Sequence, residues 1–276
     1  MDTINYLDKI RESAEYIKAK VGNLPDTAVI LGTGLGSLAD NMDITAEIDY
    51  HEIPYFPVST VEGHSGKLIF GKLGGKYIMA MKGRFHYYEG YDMKEVTFPV
   101  RVMKQLGIDK LFVSNAAGGM NKEFQVGDVM IITDHINLFP ENPLRGKNYE
   151  ELGPRFPAMT EAYSKILINM ADEISRDLGI RLMHGVYVGT PGPTFETPAE
   201  YEYFRIIGGD AVGMSTVPEV IVANHAGMTV FGISVITDLG GKDITEVPTH
   251  EEVQRAALTA QPVMTALITN MLSRLS

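Results

Sequence analysis

The chain contains no cysteine, which excludes disulfides, thiolate catalysis and cysteine-ligated metals. That absence is compatible with a reducing compartment. Long apolar runs are missing as well: no stretch reaches the roughly 18 residues that mark a membrane-spanning helix. Positive charge is in short supply. Lys and Arg number 24 against 35 Asp and Glu, a net charge of −11 at pH 7. This balance argues against nonspecific nucleic-acid partners and against anionic membrane surfaces. It also means that an anion site would have to gather its cations locally. Asp2, Asp8, Lys9 and Arg11 interrupt any apolar N-terminal run, so no signal peptide is read there and a cytoplasmic location is expected. The seven histidines show no H-E-x-x-H spacing, and no metal site is expected. A G-x-S-x-G elbow is lacking, which counts against a Ser-His-Asp hydrolase.

The pattern that remains is an alternation of strands and helices over 276 residues, read as a single domain spanning 1–276. Ile4, Leu7, Ile10, Ala14 and Ile17 recur at helical spacing over residues 4–18. Thr27–Leu31 reads as a buried strand, and residues 67–73 and 77–81 read as a hairpin across Gly74-Gly75. Residues 93–106 suggest one helix containing Pro99. Strands are expected at 110–114, 127–133, 185–188 and 228–236. Residues 161–178 form an amphipathic helix closed by Gly179. Thr197-Pro198-Ala199-Glu200 and Thr216-Val217-Pro218-Glu219 each suggest a capping box with proline in the first turn. The final helix begins at Thr249 and runs near Leu272. Residues 140–157 read as a long loop of a kind that often serves function or an interface. The class is α/β, a mixed, twisted central β-sheet flanked by helices, with ligands expected at the carboxyl ends of the strands.

Several segments could carry chemistry. In Gly83-Arg84-Phe85-His86-Tyr87-Tyr88-Glu89-Gly90-Tyr91, a fixed cation and a switchable one lie two residues apart. On extended backbone both leave the same face and suit an anion such as phosphate. A surface salt-bridge cluster would look the same. Gly32-Thr33-Gly34-Leu35-Gly36 follows a strand, as a phosphate loop would, or it is a plain turn. Ser37 stands where the dinucleotide fingerprint needs glycine, and no Gly-Lys-Ser/Thr follows. His64 lies between glycines in a loop and counts only if it joins an anion site. Asn115-Ala116-Ala117-Gly118-Gly119 permits close backbone approach to a flat ligand or a sugar, or tight packing under a loop. Phe195 can stack on a heterocycle. Glu196 can accept from the heterocycle's edge, or simply favour a helix start. Val212-Gly213-Met214-Ser215-Thr216 places a hydroxyl at a helix start, with Thr216 a candidate cap. Asp238 ends an apolar strand, where an α/β sheet faces its ligand crevice.

Taken together these segments resemble the purine nucleoside phosphorylases of the trimeric, low-molecular-mass class. The likeness runs in one order along nearly the whole chain: Gly-Thr-Gly-Leu-Gly, Gly-His-Ser-Gly, Gly-Arg-Phe-His-x-Tyr-Glu-Gly-Tyr, Asn-Ala-Ala-Gly-Gly, Asn-Pro-Leu-Arg-Gly, Arg-Phe-Pro-Ala-Met, Gly-Pro-Thr-Phe-Glu-Thr and Val-Gly-Met-Ser-Thr-Val-Pro-Glu. The resemblance implies the nucleoside phosphorylase fold and reversible phosphorolysis of purine (2′-deoxy)ribonucleosides in purine salvage. Inorganic phosphate is the co-substrate, and no cofactor is needed. It implies that Thr33, His64, Arg84, His86, the backbone of Ala116 and Ser215 meet phosphate, with Glu89 holding His86. Tyr88, Met214 and His250 would meet the ribose. Ala116, Phe195, Glu196, Val212 and Asp238 would meet the base. His86, Glu89, Glu196 and Asp238 carry the catalytic expectation. Phe156 would enter a neighbouring subunit's sugar pocket, which implies a homotrimer.

One position departs from the family pattern. Members acting on 6-oxopurines usually carry Asn where this chain has Asp238. An ionised Asp only accepts, which suits a 6-amino group, whereas a protonated one can donate. The related methylthioadenosine phosphorylases carry Asp there, while Glu196 argues for the N1–H of a 6-oxopurine. The following Leu239-Gly240-Gly241-Lys242 is also unlike the commonest form. Inosine or guanosine is the expected substrate, with adenosine or methylthioadenosine as the alternative. A dinucleotide oxidoreductase and a noncatalytic nucleoside-binding protein are the competing classes.

Overall fold

The computed structural model describes residues 4–33, 35–58, 66–241 and 249–275. The regular elements among them begin with α1 (Tyr6–Val21), β1 (Thr27–Leu31), β2 (Asp43–Asp49), β3 (Lys67–Leu73), β4 (Lys76–Lys82), α2 (Met93–Val96) and α3 (Phe98–Gln105). They continue with β5 (Lys110–Gly119), β6 (Val129–Asn137), α4 (Lys165–Leu178), β7 (Leu182–Gly189), α5 (Pro198–Ile206), β8 (Ala211–Gly213), α6 (Val217–His225), β9 (Thr229–Leu239) and α7 (His250–Arg274).

The strands form one mixed sheet in the order β2-β3-β4-β1-β5-β8-β7-β6-β9. β1 pairs in parallel with both β4 and β5, and all five of its residues are buried, as a strand covered on both faces requires. β9 pairs with β6 and also with β5. The strands β5, β8, β7, β6 and β9 therefore close into a ring. Two apolar layers enclose the sheet. One gathers α1, α3 and α6 through Ile10, Val102 and Val220. The other gathers α4 and α7 through Leu167, Ile174, Leu267 and Ile268.

The β3–β4 hairpin turns on Gly74 and Gly75, both at positive φ, the backbone that a two-residue hairpin loop favours. Three sequence expectations need correction. The helix expected over 93–106 is two, broken at Thr97, because Pro99 has no N–H for the Glu95 carbonyl and suits the first turn of α3 instead. The strand expected to end at Ser114 continues to Gly119, because β8 and β9 both pair with its glycine-rich end. Thr216 does not build a capping box: its φ is +70° and its side chain makes no cap bond. The capping boxes at Thr197 and Thr249 do form.

Gly32 lies where β1 leaves the sheet. A Cβ there would come within 2.6 Å of the Ser114 carbonyl oxygen and 2.8 Å of the Asn115 Cα, both backbone atoms of β5. The Gly32→Ala variant should therefore lose about 1–3 kcal/mol of stability, measured by urea denaturation. An unchanged midpoint would show that β1 and β5 can separate at no cost.

Candidate active site

Carboxyl ends of the parallel strands, and the loops that leave them, converge on a cavity of about 380 Å³. β1 delivers Thr33, β4 delivers Arg84 and His86 with Tyr88 beyond them, and β5 delivers Ala116. The loop after β7 brings Phe195 and Glu196. The β8–α6 turn brings Val212, Met214 and Ser215, and β9 brings Asp238.

Arg84 is 1% exposed, and a buried guanidinium needs an anionic partner. Its Nε donates to Glu219 Oε1 at 3.1 Å and its Nη2 to Glu219 Oε2 at 2.7 Å, a bidentate pair. Its Nη1 donates to the Ser114 carbonyl. Glu219 is thus taken by Arg84. The Thr216 hydroxyl is taken as well, accepting from Asn115 Nδ2 at 2.9 Å. These two bonds explain why the expected capping box is absent. The turn at Ser215-Thr216 is held by backbone at positive φ, a costly conformation for a β-branched residue.

His86 is buried beside Arg84. Its backbone N–H donates to Glu89 Oε1 at 2.8 Å, and Nδ1 lies 3.0 Å from the same oxygen. Burial pulls the His86 pKa below the ordinary histidine value, the Glu89 bond opposes that shift, and the Arg84 charge adds to it. A neutral ring bonded to Glu89 through Nδ1–H has Nε2 as its acceptor. Tyr88 stacks on His86, with ring centroids 4.7 Å apart and planes 14° apart. Burial pushes its hydroxyl up to about 12.

The opposite chemistry lies on Glu196 and Asp238. Thr190 Oγ1 donates to Glu196 Oε1 at 3.4 Å. Thr237 Oγ1 donates to Asp238 Oδ1 at 2.9 Å, and the Tyr201 hydroxyl to Oδ2 at 3.3 Å. Burial pushes both carboxyl pKa values up, with the Asp238 charge adding to the effect on Glu196. Burial, then Asp238 and Glu196, push that of Tyr201 well above the ordinary tyrosine value.

Four expected residues stand apart from the cavity lining. His64 lies outside the described residues. His250 opens α7, but its side chain is likewise outside the description; Val253, one turn on, reaches the cavity. Glu89 sits behind His86. Phe156 is 88% exposed, beside a separate hollow lined in part by His135, Arg145 and Ile221. Sequence reasoning missed Glu219 and Tyr201. Glu219 was hidden by its fit to a helix-start pattern, although a buried Arg84 demands a carboxylate from somewhere. Tyr201, in α5 just after the Thr197 cap, belongs to none of the motifs singled out in the sequence.

The chain has clear relatives. The model of the Phosphorylase superfamily matches residues 26–273. Purine nucleoside phosphorylase 1 of Geobacillus stearothermophilus is 54% identical over 244 residues, covering 88% of this chain and 89% of that protein. The structure of Schistosoma mansoni purine nucleoside phosphorylase in complex with adenosine superposes with a TM-score of 0.94 at 40% identity, covering 99% of both chains. The same organism's enzyme in complex with inosine gives 0.93 at 39%, again covering 99% of both.

Removing one partner of a buried pair strands the other charge. Glu219→Ala should cost about 3–5 kcal/mol of unfolding free energy, and Glu219→Gln, which keeps an acceptor, should cost less. Chemical denaturation of the two variants checks the order; equal and small losses would contradict it.

Proposed function

The chain belongs to the phosphorylase superfamily and, within it, to the purine nucleoside phosphorylases, and on that premise we propose the reaction it performs. It catalyses reversible phosphorolysis of purine (2′-deoxy)ribonucleosides, giving the free base and (deoxy)ribose 1-phosphate, as a purine salvage enzyme of the cytoplasm. The observation that carries this reading is one cavity lined at once by a buried guanidinium, an imidazole and hydroxyls suited to an anion, and by two carboxyl groups suited to the edge of a base.

Phosphate takes its place against Thr33, Arg84, His86, the Ala116 backbone and Ser215. Arg84 has five N–H donors. Glu219 and Ser114 use three of them, and the other two serve the anion. A neutral His86 can accept the phosphate hydroxyl proton at Nε2, steadied by Glu89. Tyr88 and Met214 bound the ribose, and His250 is assigned to its 5′-hydroxyl. Breaking the glycosidic bond builds positive charge on the sugar, as in glycoside hydrolysis. The phosphate beneath is both nucleophile and counter-charge. The departing purine gains negative charge, so a donor near N7 lowers the barrier. Phe195 and Val212 hold the base plane, and Glu196 accepts from N1–H, which favours inosine and guanosine. Asp238 supports a second reading, an enzyme acting on adenosine or methylthioadenosine, because an ionised carboxylate accepts from a 6-amino group.

Phe156 supports a homotrimer. An aromatic ring this exposed at the edge of a long loop is suited to burial against a neighbouring subunit, and the reading places it in that subunit's sugar pocket.

Inosine, guanosine, adenosine and methylthioadenosine should be offered with and without phosphate. Base release from at least one, only in the presence of phosphate, is expected; release from none would sink the enzyme assignment. Sedimentation should show a trimer, and a fully active monomer would contradict the role given to Phe156.

A further inference from the structure

We propose that Glu196 and Asp238 hold a single proton between them, relayed through the Tyr201 hydroxyl, and that the bound base decides which carboxyl group keeps it, so that one pocket takes both 6-oxopurines and 6-aminopurines. The inference rests on the purine nucleoside reading above and states which purines that site accepts.

Three elements bring the groups together. Glu196 comes from the loop after β7, Tyr201 from α5 and Asp238 from the end of β9. The Tyr201 hydroxyl lies 3.3 Å from Asp238 Oδ2 and lines the same cavity as Glu196, whose charge acts on it. Its approach to the sheet depends on Gly118 of β5. A Cβ at that position would meet the Tyr201 hydroxyl at 2.8 Å and Asp238 Oδ2 at 3.0 Å.

The neighbours supply little to offset two charges. The backbone N–H of Glu196 and the Thr190 hydroxyl favour ionised Glu196, and Thr237 donates to Asp238, but burial still leaves both carboxyl pKa values raised. Glu200, also from α5, adds negative charge towards Glu196. The groups acting most strongly on Glu196, Tyr201 and Asp238 include no cation. Among the described residues lining the cavity, the Arg84 guanidinium is bonded to Glu219 and the neutral His86 ring to Glu89. Two buried carboxylates on either side of one hydroxyl, with no cation among the described residues acting strongly on them, resist ionising together and titrate as one unit.

The chemistry of the bases matches a shared proton. A 6-oxopurine offers a donor at N1–H and acceptors at O6 and N7. Its complement is an ionised Glu196 and a protonated Asp238. A 6-aminopurine offers an acceptor at N1 and a donor at its amino group. Its complement is a protonated Glu196 and an ionised Asp238. Both arrangements contain one proton and differ only in its position. A tyrosine hydroxyl donates once and also accepts. Tyr201 can pass its own proton to one carboxylate while taking the proton of the other, so the net charge stays constant and no co-reactant is consumed.

Binding of free hypoxanthine and free adenine, without phosphate, should be measured by calorimetry between about pH 5 and 8. Both bases should bind the unaltered protein. Both affinities should fall together, about tenfold per pH unit above one shared midpoint. Asp238→Asn supplies a donor that needs no proton, so hypoxanthine should lose that fall while adenine weakens by about tenfold or more relative to it. Glu196→Gln should do the reverse, freeing adenine from the fall. Melting curves establish that both variants are folded. Separate midpoints for the two bases, failure of adenine to bind where hypoxanthine binds, or unchanged preference in the folded variants would overturn the shared proton while leaving phosphorolysis standing. Binding of neither base would overturn both this inference and the reading beneath it.

Discussion

A guanidinium buried as deeply as that of Arg84 is tolerable only with its charge matched and its donors used. The match comes from Glu219, distant in sequence and carried on a different element. The remaining internal bond goes to the Ser114 carbonyl of β5. One side chain thereby ties the end of β4, the middle of β5 and the first turn of α6 to a common point. The Ser215-Thr216 turn, with its positive φ, is set by this same arrangement. His86 repeats the scheme on a smaller scale with Glu89. Each of these two basic side chains therefore has its own carboxylate partner. An anion held there is held by directed N–H groups more than by surplus positive charge, which suits a protein with a net charge of −11.

Local signals in the sequence carried much of the fold. The buried run Thr27–Leu31, the Gly74-Gly75 hairpin, the Gly179 helix stop and the capping boxes at Thr197 and Thr249 all specify their elements through residues close together in the chain. Elements set by distant partners were harder to read. β2 is an edge strand whose charged residues obscure its alternation, and β8 is only three residues long. The strand character of Gly118 and Gly119 comes from β8 and β9, against their local preference. Ring closure by β9 onto β5 leaves no periodic trace in either strand.

The candidate site divides in the same way. The side chains that line the cavity were legible because they belong to short motifs at strand ends, where α/β sheets gather their ligands. What supports them was not. Glu219 looks like a helix-start residue and Tyr201 falls in no motif, because each is defined by what it touches across the fold. Asp238 shows the limit most plainly. Its letter in the sequence suggests an acceptor, but its burial and its bonds to Thr237 and Tyr201 decide whether it accepts or donates.

Ring closure has a consequence for how the chain behaves towards other chains. A sheet ordinarily offers two rows of unpaired backbone groups, each a template for unwanted strand addition. Here β9 bends back to pair with β5, so one end of the sheet is sealed against itself. The other end is β2, which carries Asp43, Glu47 and Asp49, with Lys67 drawn across to Glu47 and Asp49. Among the described residues, the outer margin of the nine-stranded sheet is thus lined with charge that discourages its extension into aggregates.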